Sequence, residues 1–113
     1  MQVYQFTVVI EPDEDAFHAY VPALPGCHTF GDTVEEARVN VKEAIALHIE
    51  CMQEDRELAP RGGHLHLHRP SDGRRVTVPV HKGRSVPKGT LWAILHDADV
   101  SIDEFYELLS KQP

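Results

Sequence analysis

Long apolar runs are missing from this 113-residue chain: none approaches the ~18 residues of a membrane span. Met1 leads straight into an alternating stretch without a basic leader or cleavage site, so the expected location is the cytoplasm, with no membrane partner. Cysteine is scarce as well. Cys27 and Cys51 fit neither a disulfide framework nor a metal-type pair and are expected as free thiols. His28 follows Cys27, but adjacent strand residues point to opposite faces, which argues against a nucleophilic thiol there. No nucleotide-binding glycine loop, nucleophile elbow or Cys-x-x-Cys pair occurs, and Gly62-Gly63 reads as a turn rather than a phosphate cradle. Aromatics make up only 7 % of the residues. Phe17, Tyr20, Phe30 and Trp92 read as core or contact residues rather than as base-stacking platforms.

What the chain does have is a 42 % apolar content, enough for one or at most two small cores and too little for two domains of ordinary size. It also has an uneven charge distribution beneath a net charge of -7. Residues 1 to 53 carry nine acids against Arg38 and Lys42, whereas residues 61 to 88 carry seven bases against Asp72. An acidic half tied to a basic segment fits a basic surface that meets nucleic acid and an acidic one that competes for it. Two ordinary surfaces that merely differ in charge are the alternative.

Local patterns predict the order βββα-ββαα. Val3 to Ile10 reads as a strand, Pro12-Asp13-Glu14-Asp15 as an acidic turn, and Phe17 to Val21 as the returning strand. A third short strand fits Cys27 to Phe30. Asp32-Thr33-Val34-Glu35 resembles a capping box with Asp32 as the cap. A helix then follows, with an apolar stripe through Val34, Ala37, Val41, Ala44, Ile45, His48, Ile49 and Met52. His48 on that stripe reads as a packing residue. Glu54 to Gly63 is a polar joint. Two alternating runs, His64 to His68 and Arg75 to His81, flank a turn and predict a second hairpin. Thr90 is expected to cap one helix, with Leu91, Ile94 and Leu95 inside and Trp92 off the stripe. Ser101-Ile102-Asp103-Glu104 is expected to cap a last helix, with Ile102, Phe105, Leu108 and Leu109 inside.

The most unusual motif is His64-Leu65-His66-Leu67-His68. A period of two places the three imidazoles on one strand face and the leucines on the other. One use of such a face is a metal site, with His81 of the paired strand added. Same-face positions lie about 7 Å apart, however, so three in a row rarely converge on one ion. Neither a metal nor any other cofactor is expected. A second use is acid-base catalysis on RNA, in which a histidine moves the 2'-hydroxyl or leaving-group proton while nearby cations hold the phosphates. Arg61, Arg69, Arg74, Arg75, Lys82 and Lys88 are the candidate phosphate contacts. An exposed strand face filled with half-polar side chains is the remaining alternative.

Two stretches resemble known families. Tyr4-x-Phe6-x-Val8-Val9-Ile10-Glu11-Pro12-Asp13, Phe17 through Cys27, Gly31-Asp32-Thr33 and Glu35-Glu36-Ala37 closely resemble HicB antitoxins over residues 3 to 53. Gly63-His64, Pro70 through His81, Lys88-Gly89-Thr90-Leu91 and Ile94-Leu95 look like the later part of HicA toxins over residues 62 to 109. The resemblance implies a toxin-antitoxin lineage in which HicA is a small mRNA-cleaving endoribonuclease of double-stranded-RNA-binding fold and HicB binds it and masks its active site. It further implies a partial RNase H-like fold for the first half. His64, directly after Gly63, matches the position of the HicA catalytic histidine, with His66 and His68 as lesser candidates; Gly63 stands where a hydroxyl residue is usual.

Departures from both patterns shape the expectation. HicA toxins open with a helix and a strand before the glycine, and neither precedes Gly62 here. HicB domains end on a further strand and often carry a DNA-binding module; none follows here, so DNA is not an expected partner. The inference is an α+β unit in which residues 1–55 (HicB-like) and 56–113 (HicA-like, truncated) merge. The helix at 33 to 55 would replace the toxin's first helix, and the strand at 64 to 68 a missing edge strand, within a single sheet. The expected function is that of an antitoxin-like protein binding RNA or a HicA-like toxin, with its nuclease weak or lost; an active metal-independent endoribonuclease using His64 is the alternative. Exposed strand edges in so small a sheet favour a two-fold dimer.

Overall fold

The computed structural model describes residues 5–54, 63–69, 71–80 and 83–110. The predicted element order is the observed one: β1 (Val9–Asp13), β2 (Ala16–Tyr20), β3 (His28–Gly31), α1 (Val34–Glu54), β4 (His64–His68), β5 (Arg75–Pro79), α2 (Lys88–Ala98) and α3 (Ile102–Ser110). All strand pairs within sheets are antiparallel. Val9 lies opposite Tyr20, Tyr20 opposite His28, and His64 opposite Pro79. Among the described residues, no helix is long and apolar enough to cross a membrane.

The expectation of a single sheet, with β4 as its added edge, is corrected. Two sheets form, β1-β2-β3 and β4-β5. They meet at one parallel bridge between Cys27 and Thr77, so β5 rather than β4 lies beside the first sheet. Thr77 N donates to Gly26 O at 2.8 Å. The junction depends on glycine. Gly26 has φ +89, and a Cβ there would sit 2.3 Å from the Arg75 carbonyl oxygen. Only a residue without a side chain lets the two backbones approach this closely.

Helices cover both faces of this joined surface. On one side Ala37, Val41 and Ala44 of α1 pack on Ala19, Val21 and Cys27. On the other, Ile94 and Ala98 of α2 and Phe105 of α3 pack on Leu65, Leu67, Val76 and Val78. Each fully buried valine, leucine, isoleucine or phenylalanine among them contributes about 1.5–3 kcal/mol of transfer free energy.

Helix starts follow hydrogen-bonding opportunity rather than the first plausible cap. Thr33, not Asp32, caps α1: its Oγ1 accepts from Glu36 N at 3.0 Å, and Glu36 Oε1 accepts from Asp32 N at 3.0 Å. The sequence Thr33-Val34-Glu35-Glu36 offers a similar box one residue later, with Glu36 reaching the N–H of Asp32 rather than that of the cap itself. Val34 accordingly falls outside the stripe and is exposed, while Leu47 and Cys51 join it. Ser101 caps α3 as predicted, accepting from Glu104 N at 3.1 Å. Ile102, expected inside α3, is exposed in its first turn, whereas Phe105 is buried. Thr90 does not cap α2, which begins at Lys88 after Pro87, and Pro87 provides no side-chain cap. The α2 cap comes from the first hairpin. Asp13 accepts from Gly89 N at 3.0 Å, Thr90 N at 2.7 Å and Thr90 Oγ1 at 2.8 Å.

Candidate functional site

The alternation in β4 leads to burial on both sides. Leu65 and Leu67 face the α2–α3 core. His64 and His66, at 0 % and 2 % exposure, lie under α1. The sequence reading of an exposed imidazole face is therefore corrected, because α1 is long enough to cover both sheets. His64 Nε2 lies 2.8 Å from Thr29 Oγ1, and its Nδ1 lies 3.6 Å from Glu43 Oε2. Both partners come from the first half of the chain. A substrate phosphate does not reach His64 in this arrangement.

His66 belongs to a second buried group. Thr77 Oγ1 lies 3.2 Å from His66 Nδ1 and 2.9 Å from His48 Nδ1. A hydroxyl has one proton and two lone pairs, so it donates to at most one of these rings, and at least one of the two Nδ1 atoms carries a proton that Thr77 Oγ1 accepts. His48 packs as expected and also makes this polar contact; its ring meets His66 edge-on at 5.3 Å. Burial, reinforced by neighbouring positive charge, lowers both pKa values to about 4. Both rings are therefore neutral at pH 7. His68 is only half-buried. Among the described residues no three His, Cys, Asp or Glu side chains gather to hold a metal ion. His81, the residue considered as an additional ligand, lies outside the described residues.

The candidate phosphate contacts divide into separate groups. Arg69 is bound by Asp72 and by Glu104, with Nη contacts of 2.6 and 2.7 Å, and reaches the Ala98 carbonyl at 3.1 Å. Arg74 Nε donates to Asp72 at 3.0 Å. Those two close the β4–β5 turn at the opposite end of β4 from His64, about 13 Å along the strand. Arg75 is half-buried on β5, and Lys88 is exposed at the start of α2. Arg61 and Lys82 lie outside the described residues. Cys27 and Cys51 are free and buried, and burial pushes the Cys27 thiol up to about 12, which leaves it protonated and inert.

Three residues that sequence reasoning missed line a cleft of about 490 Å³ between the first sheet and α2. Asp97 Oδ2 lies 2.7 Å from His28 Nε2, and His28 Nδ1 lies 2.9 Å from His18 Nε2. The backbone N–H of Gly26 donates to the same Asp97 oxygen at 3.1 Å. Burial lowers the pKa of both imidazoles; for His18 the neighbouring His28 adds to this, and for His28 the Asp97 carboxylate opposes it. A signal for part of this was present. His18 and Tyr20 share a strand face by the period of two, and Trp92, His96 and Asp97 fall off the apolar stripe of α2. That these two surfaces face each other was not legible locally.

A βββα segment over residues 9–54 packs against a ββα segment over residues 64–98, and comparison with known proteins gives the chain's class, a toxin-antitoxin protein. The family model described as "HicB_like antitoxin of bacterial toxin-antitoxin system" matches residues 6–74, and the model of the HicA toxin of bacterial toxin-antitoxin systems matches residues 54–100. The chain belongs to the HicB-like antitoxin family and carries the HicA match on the same polypeptide. The two matches overlap over residues 54–74, which contain β4. A UPF0150 protein of Synechocystis sp. is 44 % identical over 61 residues, covering 53 % of this chain and 77 % of its own. A UPF0150 protein of Thermoplasma acidophilum is 48 % identical over 58 residues, or 50 % and 84 % of the two chains. A 14.9 kDa protein from the rep-hol intergenic region of Haemophilus phage HP1 is 46 % identical over 56 residues, or 50 % and 42 %. No solved structure matches the chain.

Proposed function

We propose that this chain is a HicB–HicA mosaic in which residues 1–55 hold residues 56–113 in a silenced state, and that it acts in the cytoplasm as an antitoxin-like protein binding RNA or a HicA-type toxin. The observation that carries this reading is the position of His64, the residue matching the HicA histidine. It has 0 % exposure and is hydrogen-bonded to Thr29 of the first half. Further support comes from Arg69 and Arg74, which spend their donors on Asp72 and on neighbouring carboxylate and carbonyl groups. A partial RNase H-like first half and an incomplete double-stranded-RNA-binding-like second half are part of this reading. The element orders βββα over 9–54 and ββα over 64–98 support them. β1 and β4, edge strands among the described residues, support a two-fold dimer.

A second reading, an endoribonuclease opened by displacement of α1, is favoured by one feature. His64 is held between a hydroxyl and a carboxylate, which suits a general base. Cleavage of a structured RNA by the full chain in EDTA, with His64→Ala and His66→Ala alongside, separates the two. The silenced reading expects no cleavage by any of the three, together with RNA or toxin binding that weakens with salt. Cleavage lost only in His64→Ala would establish the nuclease instead.

A further inference from the structure

The Asp97–His28–His18 chain has a fixed polarity. Asp97, as a carboxylate, only accepts, so His28 Nε2 carries the proton across the 2.7 Å contact. His28 Nδ1 is then a lone pair and accepts from His18 Nε2–H across 2.9 Å. The remaining nitrogen, His18 Nδ1, is therefore a lone pair in the neutral ring. It faces the Glu11 carboxylate, another acceptor, at 3.5 Å. His18 is 4 % exposed and lines the cleft. Burial and the neighbouring His28 disfavour a proton on its ring and outweigh the opposing pull of the Glu11 and Asp13 carboxylates, so the ordinary remedy of an imidazolium between the two acceptors is opposed. Two acceptors side by side in a cleft, one of them on a buried ring, call for a donor from outside the chain.

The rest of the cleft specifies that donor. Among the described residues no lysine or arginine lines it, while Glu11, Asp13 and Asp97 do. The aromatic rings of Tyr20 and Trp92 line it too, and Trp92 is 66 % exposed. Trp92 stacks on His96 at 4.9 Å with planes 7° apart, which presents a flat, pre-ordered aromatic surface at the rim. A planar cation with several N–H donors fits both features, since it forks onto adjacent acceptors and stacks on an indole.

We propose that this cleft binds a guanidinium group, which donates to Glu11 and to His18 Nδ1 and packs against Trp92. The Asp97–His28 pair acts as the positioning element that keeps the His18 lone pair turned outward. The site lies across the sheet from His64 and does not depend on whether His64 is silenced. An arginine side chain of a partner protein and a free small guanidine supply the same group.

The chain has one tryptophan, so its fluorescence reports on the site directly. Titrating the full chain at pH 8 with N-acetyl-arginine-amide is expected to give a saturable change, at least fivefold tighter than with N-acetyl-lysine-amide. Glu11→Gln, at a half-exposed position where folding is not at stake, is expected to weaken it at least tenfold with the circular dichroism spectrum unchanged. Free arginine binding as tightly as the blocked form indicates a small-molecule source, and tighter binding of the blocked form a peptide source. A response reproduced by potassium chloride at equal ionic strength would overturn the site. Equal affinity for the lysine compound, or an unchanged affinity in Glu11→Gln, would overturn it as well. Each of these results can be told apart from failure of the silenced-toxin reading, which is read by RNA cleavage.

Discussion

Asp13 and Thr90 are 77 residues apart in sequence, yet the Asp13 carboxylate accepts both the backbone N–H and the hydroxyl of Thr90, at 2.7 and 2.8 Å. With the Gly89 N–H at 3.0 Å, the acidic tip of the first hairpin serves as the N-cap of α2. Asp13 places negative charge at the positive end of the helix and supplies acceptors that the local sequence, with Pro87 before Lys88, does not provide. The contact ties a hairpin inside the HicB-like match to a helix inside the HicA match.

Asp13→Ala should therefore lower the unfolding free energy by about 1–2 kcal/mol, the usual cost of a lost cap. Gly89→Ala should act through the same contact, because a Cβ there would lie 2.8 Å from Asp13 Oδ1. Urea denaturation of both single variants and the double variant measures this. The double variant should cost less than the sum of the singles, and full additivity would show that the two residues do not share one interaction.

Acid should loosen the fold through His48 and His66. Both rings have pKa values of about 4 when folded, against an ordinary value of 6.5. The unfolded chain thus binds protons that the folded chain refuses. Stability contributed by the neutral rings is complete above pH 6.5, falls as pH drops from 6.5 to 4, and changes no further below that. Each ring accounts for up to about 3 kcal/mol over that interval. Unfolding free energies measured from pH 7.5 to 4.5 check the sign and size. A flat profile between pH 6.5 and 4.5 would contradict the buried neutral pair.

Gly26→Ala tests the junction of the two sheets. The new methyl meets the Arg75 carbonyl oxygen at 2.3 Å and imposes a positive φ on a residue with a side chain. A loss of more than about 2 kcal/mol is expected from clash and strain together. Hydrogen exchange should show the Thr77 amide, bonded to Gly26 O, losing protection first. Retained protection at Thr77 would mean that the bridge is not what joins the sheets.

Much of the architecture was legible in the sequence because local patterns carry it. The alternation of His64 to His68 and Arg75 to His81, the threes and fours from Ala37 to Ala44, and Ser101 before Glu104 each express contacts within a few residues of the same chain segment. Where two readings satisfied one rule, as with Asp32 and Thr33, the choice passed to backbone geometry that the letters do not contain. The histidine period was read correctly, but its environment was not. Whether a strand face is open or covered depends on which helix lies across it, and α1 is a separate segment that ends ten residues before β4 begins.

The sequence by itself determined the order βββα-ββαα, the two hairpins and the family resemblances, since each follows from periodicity, turn chemistry or a contiguous motif. Only the tertiary structure decided that β5 joins the first sheet at Gly26, that Asp13 caps α2, that Thr29 and α1 enclose His64, and that His18, His28 and Asp97 form one chain beside Trp92. Across the two halves of the chain these pairings span 35 residues for Thr29–His64, 69 for His28–Asp97 and 77 for Asp13–Thr90. Such pairings are chosen by how the layers pack as a whole, and no local period of the sequence encodes them.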